Sequence, residues 1–427
     1  MLSEINLIKK INFLILLFFP LFIILGNGFI NLSLIIITLS CIILLIKKKI
    51  YLFLKNENIL IGVFFLYVSL NSLFNFTNFE NFLKSLGLFR YIFFSVAIVY
   101  TLNNISLNQF KKIKFFYLLV IIFVTFDVIF QFLTGSDIFG FKPGMCENGN
   151  CLRFQGPFGD ELIAGSFLAY FGLIVILLFF TKWKLNLLFL TLGIVIVLTG
   201  DRSPFISFLI FLFIYILVSD QKIFNKFLLI FFTTLIFFLV INTLSSSKAR
   251  YFKFSQEILI IKESQAKNDF NLKNVYENIK QSPWGKHYQV AWAMFLDKPI
   301  SGHGYNSFPI KCQKFEEITK TNLGDFRGCS SHPHNALLEI LAEQGLIGLM
   351  ILSIFIFYIL KKIFFLKFYN KDIRIKFILS GVLFLTFYFP FKPTGSLFST
   401  WLGTLTFFVY SFYLFFLNKT KYKSDNL

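Results

Sequence analysis

Apolar segments of membrane-crossing length recur along most of the chain, and they constrain its fold more than any other feature. A run of about 20 apolar residues spans a hydrocarbon core of about 30 Å. Such runs lie near 11–26, 30–46, 58–74, 84–102, 115–133, 161–180, 185–199, 204–218, 227–244, 337–360, 376–390 and 397–417. With 56% hydrophobic residues, 64 Phe among 427 and a mean hydropathy of +0.72, the chain lacks the polar surface that a soluble domain of this size requires. The expected fold is all-α integral membrane: about 12 transmembrane helices, with a large, mainly helical loop between helices 9 and 10. The run at 11–26 has no convincing small-residue cleavage site and reads as the first span.

Charge gives the orientation. The formal net charge is +19, but the Lys residues sit in short clusters between apolar runs, as in cytoplasmic loops of membrane proteins. No nucleic-acid partner is expected. With the N-terminus inside, 22 Lys and Arg fall in inside segments and 5 in the short outside loops, namely Lys84, Lys142, Arg153, Arg202 and Lys392. The opposite orientation inverts this bias. The chain then divides into residues 1–244 with helices 1–9, residues 245–334 as a periplasmic loop domain, and residues 335–427 with helices 10–12 and a cytoplasmic tail.

Cysteine usage agrees with that orientation. Cys41 lies within a span, whereas Cys146, Cys151, Cys312 and Cys329 all fall outside, in two local pairs. Two disulfides suit an oxidising compartment. Free thiols and a C-x4-C zinc half-site are the alternatives, although neither pair has the usual zinc spacing.

The long loop holds all four His and carries 13 Lys and Arg against 8 Asp and Glu. A basic extracytoplasmic region suggests an anionic substrate at the membrane surface; a solvated loop with incidental charge is the alternative. In Ser330-Ser331-His332-Pro333-His334-Asn335, Asn335 is a good N-cap and the following Ala-Leu-Leu-Glu is helical. His334 thus precedes a helix N-terminus, whose dipole disfavours imidazolium and suits a general base; histidines in such places are also commonly structural. In Thr199-Gly200-Asp201-Arg202-Ser203-Pro204, Ser203 reads as N-cap and Pro204 as the first helical residue. Arg202 then meets free N–H groups at an anion site, or anchors the helix, or pairs with Asp201. Arg250 emerges just beyond span nine, where basic residues also touch lipid headgroups. Arg90 and Asp127 lie at matching depths in spans four and five and form a plausible intramembrane pair.

The segment from Tyr288 to Phe308, with Ala293-Met294-Phe295-Leu296-Asp297-Lys298-Pro299 and Gly302-His303-Gly304-Tyr305-Asn306, continues to His332-Pro333-His334-Asn335 and Leu341-Ala342-Glu343-Gln344-Gly345. This pattern resembles the O-antigen ligase and polymerase superfamily of membrane glycan transferases. Arg202 and the segment Arg153-Phe-Gln-Gly-Pro-Phe-Gly extend the likeness, although Asp201-Arg202 stands where Ser-Arg is common. The resemblance covers roughly residues 140–360 by motif and the whole chain by topology.

The resemblance implies a glycosyltransferase of the cell inner membrane, with its site facing the periplasm. It assigns His334 as catalytic base and Arg202 and Arg250 as cations for the leaving group, with His332 in support and Arg153 as a further substrate-binding residue. The donor is expected to be a polyprenyl-pyrophosphate-linked glycan and the acceptor a lipid A-core sugar. An O-antigen polymerase, with a lipid-linked glycan acceptor, is the alternative; a polysaccharide transporter or flippase is a more distant one. No metal or cofactor is expected: fixed cations stabilise the departing pyrophosphate, and a base takes the acceptor proton in one inverting displacement. A retaining route would need a carboxylate, for which Asp160 and Glu161 are the candidates.

Overall fold

The computed structural model describes residues 2–47, 55–76, 78–147, 150–179, 184–248, 251, 272–321 and 327–419. The protein is a multi-pass helical membrane protein. Each of the apolar runs carries a helix: α1 (Leu2–Ile24), α2 (Asn27–Ile46), α3 (Asn56–Phe74), α4 (Phe79–Leu86) with α5 (Phe89–Asn104), α6 (Leu107–Thr134), α7 (Ala164–Phe179), α8 (Lys184–Leu198), α9 (Arg202–Val218) and α10 (Ile223–Thr243). Between them and the last three helices lie α11 (Leu272–Gln281), α12 (Pro283–Asp297) and α13 (Phe308–Ile318). The chain continues with α14 (Ala336–Phe365), α15 (Lys371–Leu385) and α16 (Thr400–Asn418). Among the described residues, 8 helical stretches are long and apolar enough to cross a membrane, taking Phe79–Asn104 as one. The apolar helices at 164–179, 186–198 and 202–218 are shorter, and α15 opens on Lys371, Asp372, Arg374 and Lys376.

Burial orders these helices from the inside out. Along α16, 83% of the apolar stretch is buried, against 17% for α10. Phe408 of α16 stacks on Phe19 of α1 at 4.6 Å and on Phe171 of α7 at 4.9 Å, so aromatic rings fill the middle of the bundle. Outer helices carry exposed apolar side chains such as Phe224, Phe231 and Phe238, as a lipid-facing surface does. The Lys-rich helix ends are tied together by ion pairs Glu4–Lys47, Glu57–Lys362 and Asp220–Lys371.

Two features depart from an all-helical reading by runs. A short antiparallel ribbon, β1 (Gly144–Glu147) and β2 (Asn150–Arg153), pairs Cys146 with Cys151, which are disulfide-bonded. A second disulfide joins Cys312 to Cys329. Helix α14 is broken at Gly345, where φ is 63°. At the break, Leu346 and Ile347 donate to the Pro299 and Ile300 carbonyls, while His303 and Gly304 donate to the carbonyls of Ala342 and Glu343. The backbone of 299–304 thus replaces the missing helical hydrogen bonds, which unsatisfied groups at membrane depth would otherwise make costly. Ala342, before the break, packs into a small core with Val290, Met294, Phe308 and Phe315.

The intramembrane pair expected between Arg90 and Asp127 is not formed. Arg90 donates to the Tyr91 and Thr400 hydroxyls, and Asp127 accepts the Ile138 N–H. Equal depth along two helices does not make their faces meet: Asp127 instead braces the turn that follows its own helix.

Candidate functional site

At the end of the bundle away from the Lys-rich ion pairs lies a cavity of about 1480 Å³. It is larger than the roughly 300–1,000 Å³ of usual small-molecule sites, which leaves room for two substrates. His334, His332, Arg202 and Arg153 all line it. They arrive from the α13–α14 connection, the start of α9 and strand β2, so residues far apart in sequence converge. Arg250 lies outside the described residues. Tyr251 packs against Phe205 of α9, ring centroids 5.6 Å apart.

The His332–Asn335 segment is held rigidly. The Asn335 side chain accepts the Leu338 N–H at 3.1 Å, capping α14, and donates to the Pro390 carbonyl at 2.7 Å. Thr394 N–H donates to the His334 carbonyl at 2.9 Å. These contacts hold His334 at a φ of 55°, a left-handed conformation that costs a non-glycine residue about 1–3 kcal/mol and persists only when its surroundings enforce it. The imidazole is thereby fixed in an aromatic cluster, 4.0 Å from the His332 ring, 5.1 Å from His287 and 4.9 Å from Trp284.

That cluster sets the protonation state. Burial, together with repulsion from His332 and His287, pushes His334 down to about 3 from an ordinary value of 6.5. Burial and His287 hold His332 at about 4, against the Thr394 backbone, which favours the proton. Both rings are therefore neutral near pH 7, with desolvation the main cause and imidazole crowding the second.

The turn before α9 differs from expectation. Asp201, with extended backbone, is the N-cap position, Arg202 the first helical residue and Pro204 the third; Ser203 is not the cap. The Asp201 carboxylate does not cap its helix. It forms an ion pair with Arg153 and accepts the Gly165 N–H at 3.1 Å. Arg153 also donates to the Leu162 carbonyl. Its guanidinium is thus engaged in fixing the turn that presents Arg202, which is a supporting position at the wall. Glu161 lines the cavity and is exposed; Asp160 is exposed but absent from the lining.

His303 is set apart from this group. Its Nε2 lies 3.0 Å from the Met294 carbonyl and its ring packs on Phe315, so it braces the small core.

Several wall residues were not singled out by the sequence. Glu339 accepts from the Ser396 hydroxyl at 2.5 Å and the Leu397 N–H at 3.1 Å. Glu343 accepts the N–H groups of Asn306 and Phe308. These two acids fasten the 396–397 and 306–308 segments around the cavity. Lys392 is 3% exposed and donates to Ser207 Oγ at 2.8 Å and Tyr170 OH at 3.1 Å. A lone Lys in Phe389-Pro390-Phe391-Lys392-Pro393, among outside loops poor in Lys, was its only signal.

Chemically, the cavity joins a neutral imidazole, fixed cations and carboxylates already engaged by protein donors. Among the described residues, no group of His, Cys, Asp and Glu is arranged to hold a metal ion. Residues 187–353 match the family model described as O-antigen ligase. The matched segment contains Arg202, His332 and His334 and ends before Lys392. No curated protein matches the chain.

Proposed function

We propose, on the premise of the match of residues 187–353 to the O-antigen ligase family model, that the chain transfers a glycan from polyprenyl pyrophosphate to a lipid A-core sugar at the periplasmic face of the inner membrane. The observation that carries this reading is the meeting of His334 and Arg202 in the wall of one large cavity. The Lys-rich helix ends gather at the opposite end, which supports a periplasmic cavity by the positive-inside rule. Twelve crossings and the division at 244 and 334 belong to the same proposal.

In this mechanism the acceptor hydroxyl approaches His334, which takes its proton as the oxygen attacks the anomeric carbon. The bond to the pyrophosphate breaks on the opposite face, and configuration inverts. Arg202, and Arg250 by family resemblance, balance the charge that develops on the departing phosphate. An imidazole held at about 3 by burial and its neighbouring rings is a weak base. The dianionic donor raises its proton affinity on binding, so the base is strengthened only when substrate is present.

A deletion strain tests the reading. Loss of O-antigen from the core, with lipid-linked polymer accumulating, is expected of a ligase. Core bearing a single repeat would instead mean a polymerase, and unchanged banding would remove both.

A further inference from the structure

Several charged side chains of the inner wall are met by a counter-charge or by polar donors, and Lys392 stands apart from them. Asp201 and Arg153 pair with each other, and Glu339 and Glu343 are wrapped by hydroxyl and N–H donors. Lys392 is as deeply buried as Glu339, yet among the described residues its ammonium forms no ion pair with a carboxylate. Arg90 likewise lacks an acid but is only half-buried.

A buried ammonium without a counter-charge is costly, and hydroxyl contacts offset only part of that cost. Here two of its three N–H donors go to Ser207 and Tyr170, and the rings of Tyr170 and Phe387 lie 5.8 and 6.0 Å away. One donor is left over. Ser207 lies on α9 between one and two turns below Arg202, and both Lys392 and Arg202 line the cavity. The side chain is therefore held by its neighbours with its charge uncompensated, in a cavity that Arg202 also lines.

We infer that Lys392, with Arg202, forms a phosphate subsite of this cavity, Lys392 holding the inner phosphate oxygens and Ser207 and Tyr170 positioning the ammonium. The inference rests on the proposed function only for the source of the phosphate, which is either the donor's pyrophosphate or a phosphate on the acceptor core. Arg offers a planar fork and Lys a compact point charge, so the two would grip different oxygens of one group.

The test uses purified full-length protein in detergent, with three probes: inorganic pyrophosphate, polyprenyl diphosphate, and phosphorylated or dephosphorylated core lipid. Lys392→Met should weaken binding of both diphosphates by about 30-fold or more, the scale for removing one partner of a buried charge pair, and Lys392→Arg should restore part of it. A loss confined to phosphorylated core would identify the acceptor as the source and still support the subsite. If Lys392→Met fails to fold, reductive methylation of the wild type decides: saturating polyprenyl diphosphate or phosphorylated core should slow labelling of Lys392 at least several-fold. Wild-type affinity for all probes in folded Lys392→Met, or unprotected labelling of Lys392, would overturn the inference. The two readings fail separately. Normal glycan transfer by Lys392→Met with unchanged donor and acceptor KM would sink the subsite alone. Lys392-dependent anion binding by a protein that transfers no glycan would sink the transferase alone.

Discussion

At the residue scale, His334 carries the sharpest expectations. General-base catalysis is typically worth about 10²–10⁴ in rate, and an electrostatic donor about 10²–10³. His334→Ala and Arg202→Ala should each lower in vitro transfer by at least about 100-fold at equal protein, while His303→Ala, which touches the small core and not the cavity, should retain transfer once folded. Near-wild-type transfer by folded His334→Ala would end its assignment as base. A second expectation concerns pH. The folded chain holds His334 at about 3 and His332 at about 4, whereas the unfolded chain titrates near 6.5. As pH falls below 6.5 the unfolded state binds protons that the folded state refuses, so the stability these groups confer is complete above that value and declines toward pH 4 and below. Thermal melts in detergent should show this slope, and His334→Gln should flatten it. Sequence reading found His334, His332 and Arg202 because each sits in a short polar segment beside a helix start. It missed the cause of the neutral imidazole, since Trp284 and His287 come from α12 and no local pattern places them there.

At the element scale, the break in α14 explains a motif that the sequence displays without its reason. Gly302, Gly304 and Gly345 all have positive φ, and a Cβ on Gly345 would meet the Ile300 carbonyl oxygen at 2.4 Å. Gly345→Ala should therefore abolish the docking of 299–304 and cut the yield of folded protein, measured by size-exclusion of the solubilised chain. A monodisperse variant with wild-type melting would show that the break tolerates a side chain. The Cys312–Cys329 link closes a loop of 17 residues, a length worth about 3 kcal/mol in the chain-entropy account. Cys329→Ser should lower the melting temperature, and non-reducing peptide mapping should recover Cys312 joined to Cys329 and Cys146 to Cys151. Helix positions were legible from apolar runs, because hydrocarbon demands length and apolarity together. The break and the ribbon were not, since backbone partners rather than composition determine them; Asn148-Gly149, between the two strands in sequence, was the one local hint of a hairpin.

At the scale of the whole molecule, the positive-inside distribution predicts an orientation that labelling can check. Cysteines introduced at Lys112 and Lys367, with native cysteines removed, should react only from the cytoplasmic side, and those at Lys142 and Lys280 only from the periplasm. Periplasmic labelling at position 367 would break the twelve-crossing arrangement. The distribution of the wall along the chain has a further consequence. The cavity takes Ile24 and Asn27 from the first helical corner, and Lys392, Thr394 and Trp401 from the last. Thr394 and Pro390 also clasp the His334 segment. During synthesis, then, Arg153, Arg202 and His334 all emerge ahead of the strut that sets the imidazole's geometry. The cavity wall is therefore completed only by the last helical hairpin, which latches the His334 segment after every other wall residue has been made.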